Sequence, residues 1–513
     1  MSRAGEPSIE KPETPNGALL DPIFPSESRL STGIDGFDEI LDGGLIPNRA
    51  YLLRGGPGSG KTILGLHFLT AALSDDEPGL FISFEEPEAE LRANAAAIGI
   101  DLEDVHILDL TPDSEFFVEN QTQTVFHAGE LETEPLTEVI IETVGATAPA
   151  RVFLDPVTQL RYYVSDDLQF RKEILSLIRF LQEEGATVLF TSQPSNALPD
   201  DDLQFLSHGT VTIEADHDVR TLEVTKFRGS DFKSGEHTLR IANGGARVFP
   251  RLTSRARQTE VIGAPLSSGV PELDAILHGG IEPGTVTIIS GPTGAGKSTL
   301  GTQFMKEAAG RSQHSVMYLF EEALEAVVHR SEAVNIPVKT MLDHSSLVAR
   351  EIAPLSISPD EFANLVKTDV EEHDASIVMI DGMDGYRLSM GLTDTTLSRE
   401  LTNLTRYLKN QGVAVILVDE VGSVTTDFQA TSEGISYLAD NIVFIRNLEV
   451  EGQLQKAIGV LKKRLSDYER TLREFKITRH GIRVGEPLTG IQGVLNGDVE
   501  TNGEYEPREA NFR

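Results

Sequence analysis

Short apolar runs recur along the chain, separated by stretches with helical spacing. In the first half the runs are AYLLRG (50–55), GLFISF (79–84), ARVFLD (150–155) and ATVLFT (186–191), apolar at nearly every position. A strand with one wet face alternates, whereas a strand that is apolar throughout is buried on both sides. KTILGLHFLTAALSD (61–75), the stretch from Pro87 to Ile98, and LQFRKEILSLIRFLQEE (168–184) carry the helical pattern. Strands of this kind with helices between them predict an α/β architecture, a mostly parallel sheet with helices on both faces. Two later runs, HGTVTIEA and RTLEVTKF, alternate instead. They predict antiparallel strands added at one side of the sheet.

The same pattern then repeats. STGIDGFDEILDGGLIPNRAYLLRGGPGSGKTILGLHF from Ser31 aligns without a gap on SSGVPELDAILHGGIEPGTVTIISGPTGAGKSTLGTQF from Ser267. The offset of 236 carries Gly43 onto Gly279, Pro47 onto Pro283 and Lys61 onto Lys297. It carries FISFEEP (81–87) onto MYLFEEA (317–323), and KFRGSDFKSGEHTLRIANGGARV (226–248) onto KKRLSDYERTLREFKITRHGIRV (462–484). Between these blocks the register slips and recovers, as loops of unequal length require. A unit this long is a duplicated domain and not a solenoid repeat. The expected organisation is an N-terminal tail (1–25), a first domain (26–252), a linker (253–261), a second domain (262–487) and a C-terminal tail (488–513). Both tails are expected to be loose, from their Pro, Gly, Asn and Glu content.

Each repeat carries a glycine-rich loop between an apolar strand and a helix. The first is Gly55, Gly56, Pro57, Gly58, Ser59, Gly60, Lys61, Thr62. The second is Gly291, Pro292, Thr293, Gly294, Ala295, Gly296, Lys297, Ser298, followed by Thr299. Both fit G-x-x-x-x-G-K-[ST], in which glycines turn backbone N–H groups toward phosphate oxygens and the helix presents its positive end. Lys61 and Lys297 would reach the β- and γ-phosphates, and the hydroxyls of Thr62 and Ser298 would ligate magnesium. Asp155 and Asp381 end apolar strands, where ligands of parallel sheets bind, and are candidates for the magnesium shell. Glu85 and Glu86, with Glu321 and Glu322, end another strand and could orient and deprotonate an attacking water. Alternation does not tell which member of each pair faces the phosphate. Lys226 with Arg228, and Lys462 with Arg464, form matched K-x-R pairs on one face of a late strand. Cations of this kind complete a phosphate site from a neighbouring subunit.

Composition narrows the function classes. The chain of 513 residues has no cysteine, which excludes disulfides and thiolate chemistry and fits a cytoplasmic location. It holds no apolar run long enough to span a membrane, and its first residues lack the apolar core of a signal peptide. The net charge is −36, spread along the whole chain. That spread reads as adaptation to high salt, as in a halophilic archaeal source, ahead of a partner with a large basic surface. It argues against binding nucleic acid, which needs clustered Lys and Arg. The 12 histidines show no metal-ligand spacing. His127, His208, His217 and His237 read as surface or core residues, and TSQPSN (191–196) as a loop after a strand, near the nucleotide.

The loop context, FISFEEP, the strand-ending Asp155 and KFRGSDF together resemble the KaiC-like branch of the RecA-type ATPases, and the duplication resembles its double-domain members over about 26–487. The resemblance implies two RecA-like domains and a homo-oligomeric ring, usually a hexamer, with ATP and Mg2+ at subunit interfaces. It implies Glu85 and Glu321 as general bases assisted by Glu86 and Glu322, and K-x-R pairs that reach ATP in the adjacent subunit. Clock members of the family also autophosphorylate on an adjacent Ser-Thr pair in the second domain. Here Ser436 occupies the serine position, but Tyr437 replaces the threonine, a departure from the pair that dual-site autophosphorylation uses. Leu465 likewise stands where the first repeat has Gly229. The leading expectation is an ATP-hydrolysing, ring-forming regulatory protein with unidentified signalling or clock-type partners and Ser436 as a candidate autokinase site. A non-catalytic ATP-dependent scaffold and, further off, a DNA recombination ATPase are the alternatives.

Overall fold

The structure, a computed structural model, describes residues 29–74, 77–111, 134–164, 166–194, 200–216, 219–252, 263–421, 431, 435–450, 453–488, 491–492 and 500–501. The expected tail 1–25 and linker 253–261 lie outside the described residues, as do most of 488–513, His127, His217 and Ser195 to Asn196. The chain divides into two units, Met1–Val248 and Phe249–Arg513.

In the first unit the strands are β1 Ala50–Gly55, β2 Gly79–Ser83, β3 His106–Asp109, β4 Arg151–Asp155, β5 Thr187–Ser192, β6 Gly209–Asp216, β7 Val219–Phe227, β8 Glu236–Ala242 and β9 Gly245–Phe249. They form one nine-stranded sheet in the order β3-β2-β4-β5-β1-β6-β7-β8-β9. Pairing is parallel from β3 through β6. It turns antiparallel at β6–β7 and β7–β8, where the sequence alternates. The apolar strands are buried on both faces, as their composition requires. Tyr51 and Leu53 of β1 enter one core, and Ala50 and Leu52 the other. The helix Asp167–Glu183 shows how local and tertiary signals agree. Asp166 caps it by accepting from Gln169 N at 2.8 Å, and Phe170, Ile174, Ile178 and Leu181 make its buried stripe.

The second unit repeats the design. Its strands are β10 Val286–Gly291, β11 His314–Leu319, β12 Leu347–Glu351, β13 Ala375–Asp381, β14 Ala414–Glu420, β15 Asn441–Val450, β16 Gln453–Lys463, β17 Arg473–Thr478 and β18 Gly481–Pro487. Their order, β12-β11-β13-β14-β10-β15-β16-β17-β18, is that of the first sheet. In both sheets the strand before the glycine loop sits centrally, so the loop opens beyond its carboxyl end. A further short antiparallel pair joins Ile491–Gln492 to Glu500–Thr501. No helix among the described residues is long and apolar enough to cross a membrane.

Glycine decides how closely the loop helix approaches its sheet. Gly65 lies in the helix Lys61–Ser74, and a Cβ there would overlap the ring of Phe153 on β4. Alanine favours a helix over glycine by about 1 kcal/mol, but overpacking a core costs about 1–3 kcal/mol. Gly65→Ala is therefore expected to lower the stability of the first domain by roughly 1 kcal/mol, read as a lower urea midpoint. A raised midpoint would mean that the helix shifts freely.

Candidate active sites

Each glycine loop is held from both sides by the fold. Gly60 and Gly296 have φ +106° and +108°. That left-handed backbone favours glycine, and a Cβ on Gly60 would also approach Ile241 Cδ1 of β8 to 2.5 Å. On the outer side, a Cβ on Gly56, Gly58 or Gly294 would meet nothing within 4 Å. The rim is open where a ligand would approach. Lys61 Nζ folds back onto Gly55 O and Gly56 O, both at 2.8 Å, and Lys297 Nζ onto Pro292 O at 2.9 Å. Burial pushes both lysines down from the usual pKa, against the pull of nearby carboxylates. Ser59 Oγ is buried without a partner among the described residues. An idle hydroxyl in the first cradle, and in each cradle a lysine parked on its backbone, fit a polyphosphate.

The strand-end aspartates reach these loops across the sheet. Thr62 Oγ1 donates to Asp155 Oδ2 at 2.5 Å, and Ser298 Oγ to Asp381 Oδ1 at 2.9 Å. A hydroxyl and a carboxylate brought together beside the cradle are a hard-oxygen donor set suited to magnesium. Burial raises the pKa of both aspartates. At Asp155 the hydroxyls of Thr191 and Thr62 oppose that rise. At Asp381 the neighbour on β14 is Val418, and the pKa stands at about 6, with Ser298 and the Arg330 charge holding it down.

The glutamate pairs are placed beside the aspartates but differ in setting. Glu85 is exposed, and Glu86 Oε1 accepts from the amide of Asn94. Burial pushes Glu86 up in pKa, and that hydrogen bond moderates the rise. Glu321 Oε1 accepts from Gly385 N at 2.9 Å, and Glu322 is ion-paired with Arg330.

The K-x-R pairs do not join the loops of their own domains among the described contacts. Lys226 Nζ donates to Gln204 O and Ser207 O, at 2.5 and 2.6 Å. Arg49 Nη1 donates to Arg228 O at 2.5 Å, which gathers Arg49, Lys226 and Arg228 around His208. In the second domain Lys462 Nζ donates to Ser436 O and Arg464 Nη1 to Asp440 Oδ1, each at 3.4 Å. Gly229 has φ +86°, and a Cβ there would approach Arg49 Nη1 to 2.5 Å. Leu465, its counterpart, is exposed. Tyr437 Oη bonds Thr402 Oγ1 at 2.8 Å and Ser398 O at 2.9 Å.

Several contacts at the sites escaped the sequence reading. Glu420 accepts from Thr293 and lies 3.8 Å from Lys297 Nζ. Lys456 Nζ donates to Gly294 O at 2.7 Å. Thr191 meets Asp155, and Asn94 and Arg330 meet the second glutamates. Only the last two had a readable signal, since they stand at the repeat offset eight residues after matched acids.

Two sheets of one topology, each with a phosphate loop tied to a strand-end aspartate, define a tandem P-loop protein with RecA-like domains. A family model described as "ATPase: KaiC" matches residues 30–253 and again 266–489, and the chain belongs to this KaiC ATPase family. It is 28% identical over 488 residues to the circadian clock oscillator protein KaiC of Parasynechococcus marenigrum, covering 91% of this chain and 92% of that protein. It is 27% identical to the circadian clock protein KaiC3 of a Synechocystis species, over 93% and 96% of the two chains. The KaiC of Synechococcus elongatus is 26% identical over 92% of this chain and 91% of its own.

The raised pKa of Asp381 has a signed consequence for stability. The folded carboxyl binds its proton more tightly than the unfolded one, so the nucleotide-free domain loses stability as pH rises from about 4 toward 6. Asp381→Asn removes the buried charge. Without nucleotide or metal, its second domain is expected to melt higher than wild type at pH 8. The gap should shrink as pH falls below about 6. Calorimetry across that range checks it, and a gap independent of pH would contradict it.

Proposed function

We propose that both sites bind ATP with magnesium and hydrolyse it, in a homo-oligomeric ring, a hexamer, whose subunits complete one another's sites. The observation that carries this reading is the hydroxyl–aspartate bond beside each open cradle, Thr62 to Asp155 and Ser298 to Asp381. Magnesium-ATP supplies the phosphoryl group and part of the charge neutralisation. Thr62 with Asp155, and Ser298 with Asp381, would hold the metal. Lys61 and Lys297 leave their backbone acceptors to meet the phosphates, and loop N–H groups of Gly58 to Thr62 and Gly294 to Thr299 orient them. Glu85 and Glu321 serve as bases toward water, with Glu86 and Glu322 assisting. Lys226 and Arg228, and Lys462 and Arg464, are offered to the nucleotide of the adjacent subunit. Burial and the neighbouring Arg228 push Lys226 down in pKa, a clustering of cations that favours an anionic partner. Ser436, exposed on the second domain, is the proposed acceptor for autophosphorylation, with Lys462 bonded to its carbonyl.

Purified full-length protein is expected to release phosphate from ATP only with magnesium. The variant E85Q/E86Q/E321Q/E322Q should lose at least about 100-fold in turnover, the lower range for a general base. ATP-driven assembly without phosphate release would mark a scaffold instead. Phosphosite mapping after incubation with magnesium-ATP should place phosphate on Ser436, and an unmodified Ser436 would remove the kinase role.

Subunit sharing has its own test. With E321Q/E322Q in both chains, a K226A/R228A chain and a K61A chain should each be nearly inactive. Mixing them should restore part of the turnover, since one supplies the loop and the other the cations. No recovery in mixed rings would place the K-x-R pair outside the site.

A further inference from the structure

Asn94 and Arg330 occupy one position of the duplicated domain, 236 residues apart. Each lies on the helix that follows the glutamate pair, Glu88–Ala97 in the first domain and Leu324–Glu332 in the second. Each donates to the second glutamate: Asn94 Nδ2 to Glu86 Oε1, and Arg330 Nη1 to Glu322 Oε2. The contact is conserved between the repeats, but its charge is not. A neutral amide holds Glu86, whereas a guanidinium holds Glu322.

That difference is large in physical terms. A carboxylate that accepts from an amide is already charge-assisted, and a guanidinium adds a full opposite charge to the same contact. The pair is about one-third exposed, 37% for Arg330 and 33% for Glu322, so water screens it only in part. Nε and Nη2 of Arg330 are buried without partners among the described residues, so no other acceptor there competes with Glu322. The other acid of the second site is also docked. Glu321 accepts from Gly385 N and lies against Gly382 and Gly385, where a Cβ would come within 2.7 and 2.6 Å of it. Counting from the strand-end aspartate, the first domain has Pro156 and Gln159 at those two places. Both glutamates of the second site thus rest on partners specific to that domain.

Building on the assignment of these glutamates to the reaction with water, we infer that Arg330 is a positioning residue particular to the second site. Its ion pair docks Glu322 on the helix and slows hydrolysis at the second loop relative to the first. Its charge also reaches Asp381, which places it at the edge of the reaction centre. The duplication thereby yields two cradles for one ligand with different lifetimes for it.

The test uses the full-length chain with the first site silenced by E85Q/E86Q. In that background R330N is expected to raise second-site kcat about 5- to 10-fold, with KM within about twofold. R330Q should do the same, whereas R330K, which keeps the charge, should stay near the background rate. In the reverse arm, with E321Q/E322Q, N94R should lower first-site kcat by a similar factor. Unchanged kcat in R330N and R330Q, an equal rise in R330K, or an unaffected N94R would each overturn the role of Arg330. If E85Q/E86Q/E321Q/E322Q instead turns over like wild type, the assignment of the glutamates fails. Loss of turnover in that variant with R330N unmoved would defeat the Arg330 inference alone.

Discussion

In each domain a hydroxyl on the first turn of the loop helix is bonded to the aspartate at the end of a strand two places away in the sheet. The partners lie 93 residues apart in the first domain and 83 in the second. The bond cannot form until β1, β5 and β4, or β10, β14 and β13, are in parallel register. It also explains why a carboxylate is tolerated in a buried position. Desolvation disfavours the charge, and hydroxyl donors recover part of the loss. The glycine loop, the lysine folded onto it and the glutamates just after the next strand all take their places relative to this contact.

Around a shared frame the two domains have diverged in the residues that finish the site. Thr191 donates to Asp155, while Val418 stands beside Asp381. Phe227 stacks on Tyr51 with centroids 5.6 Å apart. Its counterpart Lys463 is buried and bonded to Leu277 O at 2.5 Å and Glu282 at 2.7 Å. A buried lysine is tolerated there only because an acid and a carbonyl meet it. Asn94 stands opposite Arg330, and the end of β14 brings Glu420 to the second loop, whereas Ser192 at the end of β5 donates to Asp200. Topology is the same in both sheets, so these differences leave the fold alone.

The electrostatics carry a similar contrast of scale. The chain as a whole is strongly acidic, at −36. Locally, Arg49, Lys226 and Arg228 are gathered at the end of β7 in spite of mutual repulsion. Net charge governs solubility and encounter, and it does not prevent such a local gathering of cations.

Much was legible from residues alone. Strands apolar at every position announced a sheet buried on both faces, and the run Ala50–Gly55 was read to its bounds. Alternation in the later runs announced the antiparallel side, because a half-wet strand records its pleat in its side chains. The offset of 236 announced two copies of one domain, and loop glycines announced a phosphate cradle, since few other residues permit that backbone. The partners that tune the sites were not legible. Thr191, Lys456 and Glu420 lie far along the chain from the groups they touch, and only the closed sheet brings them within hydrogen-bond distance. The rest of Glu321 on Gly385 was equally closed to pattern, because it depends on the space left by Gly382 and Gly385, whereas Asn94 and Arg330 stand at matched places after the acids they hold. Sequence by itself determined the elements, the duplication and the place of the glycine loops, since those follow from local backbone preference and side-chain polarity. Tertiary structure alone decided how each carboxylate is held, because that depends on distances between segments that only packing brings together.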